Sequence, residues 1–126
     1  IRKTFNTTVI LSLIVMMLAF GWFEVRGFYQ INNPAIVEAG KKVDQITPKN
    51  AKVVAPYNWD PAFLYQTNRI GWPAMAGSID DMIKLGATHY VSVNFDEDTK
   101  EIMKKYKILE ETNRYVIIEL ILKPKT

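Results

Sequence analysis

The sequence predicts an α/β protein: one N-terminal transmembrane helix, then a small three-layer α/β domain with a mostly parallel sheet and a C-terminal antiparallel hairpin. Three observations predict it. An uncharged apolar run covers Thr4 to Phe23. Beyond it, short β-branched runs alternate with segments whose apolar residues recur at helical spacing behind capping residues. The chain then closes on two apolar runs around a polar turn, the pattern of a hairpin. Alternating strands and helices bury both faces of a parallel sheet, and an antiparallel edge strand on such a sheet is common.

The first element rests on length and charge. About 20 helical residues at ~1.5 Å each span the ~30 Å of bilayer hydrocarbon. The core of the run, Val9-Ile10-Leu11-Ser12-Leu13-Ile14-Val15-Met16-Met17-Leu18-Ala19-Phe20, is apolar all round rather than striped, which argues against a buried core helix. Arg2 and Lys3 precede it, and Trp22 and Phe23 close it with interfacial aromatics. Glu24 and Arg26 cancel on the far side, so the positive bias places the N-terminus in the cytoplasm and the rest outside. Ala19-Phe20-Gly21 also has the small-x-small form of a signal-peptidase site, which makes a cleaved signal the competing reading. The first residue is Ile rather than Met, so the sequence is expected to continue upstream.

Residues 1–26 are therefore read as the membrane helix with its flanks and 27–126 as an extracytoplasmic domain. Asn33 is an N-cap with Pro34 at the first helical position, and Ile36, Val37, Gly40, Val43 and Ile46 follow at helical spacing. Lys52–Tyr57 is a short buried strand. Asp60-Pro61 opens a second helix through Phe63, Leu64 and Tyr65, ending near Gly71. Trp72–Met75 is a weak strand whose proline suits a sheet edge. Ser78-Ile79-Asp80-Asp81 is a capping box with Asp in place of Glu, and its helix stops at Gly86. His89–Asn94 is the clearest strand. Asp96 or Asp98 caps a last helix with Ile102, Met103 and Tyr106 on its inner face. Ile108–Glu111 and Tyr115–Leu122 form the hairpin around Thr112-Asn113-Arg114.

Composition narrows the chemistry. The chain has no cysteine, which excludes disulfides, thiolate metal sites and a cysteine nucleophile, and one histidine, His89, which excludes a histidine-rich metal site. The net charge of +3 is scattered, without the basic stripe of a nucleic-acid binder, so no nucleic-acid partner is expected. In an open α/β sheet, ligands bind beyond the carboxyl ends of the strands. Tyr57, Asn58, Asp60, Ser78, Asn94 and Asp96 lie there and form the candidate ligand-binding pocket, although Asp60, Ser78 and Asp96 are equally explained as helix caps. Asp96-Glu97-Asp98 has the Asp-x-Asp spacing that can hold a divalent cation, but two acids before a helix are commonplace, and no metal is expected. There is no glycine-rich phosphate loop. His89 is read as a structural histidine at the start of its strand, no catalytic residue is assigned, and the cofactor is left open.

The string Tyr57-Asn58-Trp59-Asp60-Pro61-Ala62-Phe63-Leu64-Tyr65, followed by Asn68-Arg69-Ile70-Gly71-Trp72-Pro73, resembles the extracytoplasmic C-terminal part of multi-spanning glycosyltransferases. These are of the dolichyl-phosphate-mannose–protein mannosyltransferase and aminoarabinose transferase type. The matching motifs are Leu64-Tyr65, Arg69-Ile70-Gly71-Trp72 and Gly86-Ala87-Thr88-His89-Tyr90-Val91. The resemblance covers nearly all of this chain but only the tail of that family. It implies transfer of a sugar from a polyprenyl-phosphate carrier, with the catalytic acid in an earlier loop absent from this sequence. It also implies membrane lipid and an upstream transmembrane bundle, of the same protein or of a partner subunit, as partners. The alternative is a single-span, membrane-anchored α/β binding or interaction module without enzymatic activity. In either case Trp72 is expected in the core or at the membrane, and Arg69 paired with a carboxylate.

Overall fold

The computed structural model describes residues 2–29 and 33–122. It divides into two compact units, Ile1–Asn32 and Asn33–Thr126. In the first, helix α1 (Arg2–Val25) runs into a single 3-10 turn, Arg26–Tyr29. Within α1, Phe5–Val25 is long and apolar enough to cross a bilayer, with a mean hydropathy of 2.1 and none of that stretch buried. Apolar side chains cover the helix on every side, so no stripe sets a preferred face for packing. The Arg26 guanidinium lies 4.2 Å from the centre of the Phe23 ring, a cation–π contact at the end of the apolar stretch.

The second unit is an α/β sandwich with helices α2 (Pro34–Ile46), α3 (Ala62–Gln66), α4 (Ile79–Lys84) and α5 (Glu97–Lys105). Its strands are β1 (Lys52–Val54), β2 (Ile70–Trp72), β3 (His89–Ser92), β4 (Tyr106–Glu111) and β5 (Val116–Leu122). The five strands lie in the order β2-β1-β3-β5-β4. β1 pairs parallel with β2 and β3, and β5 pairs antiparallel with β3 and β4, so four strands share one direction and β5 alone runs against them. One face of the sheet packs Val53, Val91 and Ile117 against Ile36, Ala39 and Val43 of α2 and Phe63 of α3. The other packs Val54, Tyr90 and Ile118 against Met82 of α4 and Ile102 of α5. Two apolar layers on opposite faces explain why all four residues of β3, at the centre of the sheet, are buried.

Capping chemistry set several boundaries where the sequence places them. Asn33 Oδ1 accepts from the Ala35 N–H at 3.1 Å, with Pro34 opening α2. The Ser78–Asp81 capping box is complete in both directions. Asp96, rather than Asp98, caps α5 through the Thr99 N–H at 2.9 Å.

Several expectations need correction. The weak strand expected at Trp72–Met75 lies two residues earlier, at Ile70–Trp72, and occupies a sheet edge. The strand expected to reach Tyr57 stops at Val54, although Ala55 still donates to Trp72 O and Tyr57 to Pro73 O. Pro56 and Pro73 lack the N–H groups that would continue the ladder on either side. The helix expected to run to near Gly71 is a single short element, Ala62–Gln66, ended by Asn68 in the left-handed region (φ 51°). Tyr106, expected on the inner face of α5, is instead the first residue of β4. It is still buried on the same side as Ile102.

Two glycines allow close approaches that any side chain would block. A Cβ on Gly40 would lie 2.5 Å from Gln66 Cβ and from the Gln66 carbonyl oxygen, where α2 meets the end of α3. At Gly71 the Cβ would lie 1.8 Å from Val53 O, inside the β1–β2 pairing. Neither backbone can yield without moving an element, so Gly71→Ala should detach β2 and lower the melting midpoint by more than ten degrees, an effect of ~2–3 kcal/mol. Hydrogen exchange would localise the damage: the Ala55 amide, which donates to Trp72 O at 2.9 Å, should lose its protection first.

Candidate functional site

The carboxyl ends of β1, β2 and β3 carry the six residues expected to form a strand-end pocket. Tyr57 is half-buried; its ring meets Phe63 edge-on at 6.2 Å, and its hydroxyl accepts from Asn33 Nδ2 at 3.4 Å. Asn58 and Trp59 both take left-handed backbone, φ 49° and 64°, which lifts Trp59 into solvent with 74% of its surface exposed. Asp60 Oδ1 accepts from the Ala62 N–H at 2.8 Å and so serves the start of α3. Asn94 is held by Ser92, whose Oγ accepts from the Asn94 N–H at 3.0 Å and donates to its carbonyl at 2.8 Å. Asp96 is occupied as the α5 cap, and Ser78 as the α4 cap. No side-chain hydrogen bond joins any two of the six among the described residues.

Ser78 lines a cavity of about 240 Å³ between α4 and α5. Inside it, Asp80 accepts from the Tyr106 hydroxyl at 2.6 Å and from Lys105 Nζ at 2.9 Å. Those bonds, Tyr106 first and Lys105 second, hold the Asp80 carboxyl below its usual pKa. Burial, with Asp80 beside it, raises the Tyr106 phenol.

The motif residues serve the fold. Arg69 has a fully buried side chain, and its guanidinium finds an acceptor for every N–H. Nε donates to Pro48 O at 2.9 Å, Nη2 to Asp44 O at 3.0 Å and Thr47 O at 2.9 Å, and Nη1 to Asn68 O at 2.9 Å and to the Asp44 carboxylate. Arg69 therefore closes the C-terminal end of α2, where the last carbonyls have no helical partner and the dipole favours a cation. Lys49, Arg69 and Asn68, in that order, hold the Asp44 carboxyl far below the usual carboxylate range. Gly71 makes the β1–β2 approach possible, Trp72 packs partly buried against the core beneath α4 and α5, and Leu64 packs against the α2 side. Tyr65 and Ile70 face water instead, 82% and 66% exposed.

The residues present set limits on chemistry. Among the described residues, no group of three or more histidines or acids is placed to hold a metal ion. His89 Nδ1 lies 2.9 Å from Thr88 Oγ1, but that hydroxyl also accepts from the Lys52 N–H at 3.0 Å and lies 3.2 Å from Lys52 O. Tied to the β1 backbone in this way, Thr88 clasps β1 to β3 rather than standing free as a nucleophile. Two features of possible functional weight were not singled out from the sequence. One is Trp59, whose presentation depends on consecutive left-handed residues with no glycine to announce them. The other is the open space beside His89. The chain matches no family model, no curated protein and no solved structure.

Proposed function

We propose that this chain is the C-terminal membrane helix and extracytoplasmic domain of an integral-membrane glycosyltransferase that uses a polyprenyl-phosphate-linked sugar. One observation carries the reading: Leu64-Tyr65, Arg69-Ile70-Gly71-Trp72 and Gly86-Ala87 ahead of Tyr90-Val91 occur in that order behind a helix of membrane-spanning length. In this role α1 anchors the chain beside an upstream transmembrane bundle, and the α/β domain supports that bundle or shapes acceptor access. Catalysis belongs to the upstream part, in keeping with the employment of Arg69, Gly71 and Trp72 in packing.

That same employment favours a second reading, a single-span anchored α/β binding module, since motif residues that hold the fold require no transferase around them. The coding sequence upstream of Ile1 separates the two: several further hydrophobic spans support the transferase, and a start codon immediately upstream supports the module.

Both readings place the domain outside the cytoplasm. Protease added to sealed, right-side-out vesicles should degrade residues 33–122 and spare α1. Full protection of the domain would overturn the orientation.

A further inference from the structure

The amino ends of β1 and β3 border a second cavity, of about 330 Å³, whose lining includes Pro48, Asn50, Ala51, Thr88, His89 and Glu119. Of its four polar lining residues, Asn50, Thr88, His89 and Glu119, the last two are neighbours across the sheet. His89 on β3 and Glu119 on β5 are register partners, and Lys107 on β4 is in turn the register partner of Glu119 and pairs with it at 2.9 Å. His89 is only 6% exposed, yet just one of its ring nitrogens is bonded, Nδ1 with Thr88. No sealed side-chain nitrogen or oxygen among the described residues lacks a partner, so the unbonded Nε2 keeps some accessible surface, and the cavity that His89 lines is the open space beside it. A buried histidine that keeps an unused nitrogen beside a space with mainly apolar walls is the arrangement expected of a small-ligand site.

We propose that this cavity binds a neutral, hydroxyl-rich ring, a single monosaccharide unit, between His89 Nε2 and the Glu119 carboxylate. The charge excludes ions as the preferred ligand. Glu119 is already neutralised by Lys107, and desolvation holds His89 below its ordinary pKa, so imidazole and carboxylate together leave no net charge to attract one. The donor pattern selects hydroxyls. Glu119 can only accept, and Nε2 donates or accepts according to which nitrogen carries the proton; a pair of neighbouring hydroxyls satisfies either case. Pro48 and Ala51, the latter in the same apolar layer as Val91 and Ile117, offer apolar wall to the C–H face of a ring. At about 330 Å³ the cavity lies at the small end of the ~300–1,000 Å³ range of small-ligand sites, with room for a single ring. The inference rests on the cavity alone, and either reading of function accommodates it.

His89 is the sole histidine of the chain, so selective ¹⁵N labelling of histidine gives one imidazole to observe. The 126-residue chain in lipid nanodiscs, free of sugar-based detergents, is titrated with a panel of methyl glycopyranosides of the common hexoses and pentoses. At least one should move the Nε2 resonance saturably, with millimolar affinity. Glu119→Val, which keeps a strand-forming residue, should weaken that binding about tenfold. Asn50→Trp, at an exposed turn on the rim, should abolish it without lowering the melting midpoint. The proposal is overturned if no glycoside saturates the signal, if Asn50→Trp binds like the parent, or if inorganic phosphate or n-butylammonium binds more tightly than every glycoside.

Discussion

Val91→Asp should leave the α/β domain unfolded. Val91 is fully buried in the central strand β3, opposite Ile117, and packs in the layer formed with Ile36, Val43, Val53 and Phe63. A carboxylate there faces an apolar layer whose buried hydroxyl, on Tyr115, is already given to Glu110, and burying it unpaired costs several kcal/mol, comparable with the whole stability of a domain this size. The matched control is Glu97→Gln. Glu97 lies at the start of α5 with an 89% exposed side chain and a loose 3.4 Å contact to Lys100, so its neutralisation should cost at most ~1 kcal/mol. Near-ultraviolet circular dichroism, which α1 dominates far less than the helical signal, would follow both melts. A parent-like transition for Val91→Asp would mean that β3 is not in the interior of the sheet.

The second large effect is expected at Arg69. Arg69→Met keeps the length and removes the charge, leaving the carbonyls of Asp44, Thr47, Pro48 and Asn68 without their donor and the Asp44 carboxylate without its buried partner. The pair is buried only on the arginine's side, Asp44 remaining 34% exposed, so the larger cost is the carbonyls left without a donor, ~1–3 kcal/mol for each that water cannot reach. Arg69→Lys should recover little of it, because a single ammonium cannot serve five acceptors arranged around a planar fork. The experiment separates two duties for the motif arginine. A residue that acts only on a ligand would leave the melt unchanged when replaced, whereas the hydrogen bonds described here require it to fall.

Much of the fold was legible because local chemistry declares itself in short strings. Asn33-Pro34, the Ser78–Asp81 box and Asp96 marked helix starts by the need to satisfy free N–H groups. The burial of β3 on both faces was readable from Tyr90 and Val91, but the strand expected to reach Asn94 stops at Ser92, leaving Val93 beyond its end and only half-buried. What escaped was decided by contacts distant in sequence. The true position of β2 depends on Gly71 meeting Val53 O, and the extent of β4 depends on Tyr106 pairing with Leu122 across the hairpin. The expected pairing of Arg69 with a carboxylate is met by Asp44, but neither that partner nor the helix end it closes could be named from spacing alone. The candidate site was the least legible part. Strand-end position suggested Asp60, Ser78 and Asp96, each of which satisfies a helix start, whereas the open nitrogen of His89 lies at the opposite ends of the strands. No local pattern distinguishes a buried histidine with one bond from one with two.

The two margins of the sheet also bear on how many copies can crowd together. An unpaired strand is a template for its twin in a neighbouring molecule. Here one margin, β2, is three residues long and is cut off by Pro73. The other, β4, alternates Lys107 with Glu110 and Glu111 and shifts register twice against β5, so its outward amides do not form a straight row. Neither border offers a run long and flat enough to zip onto a second copy. A chain anchored as proposed would meet its neighbours in two dimensions far more often than one in free solution, and such blunted borders would keep each sheet single at that density.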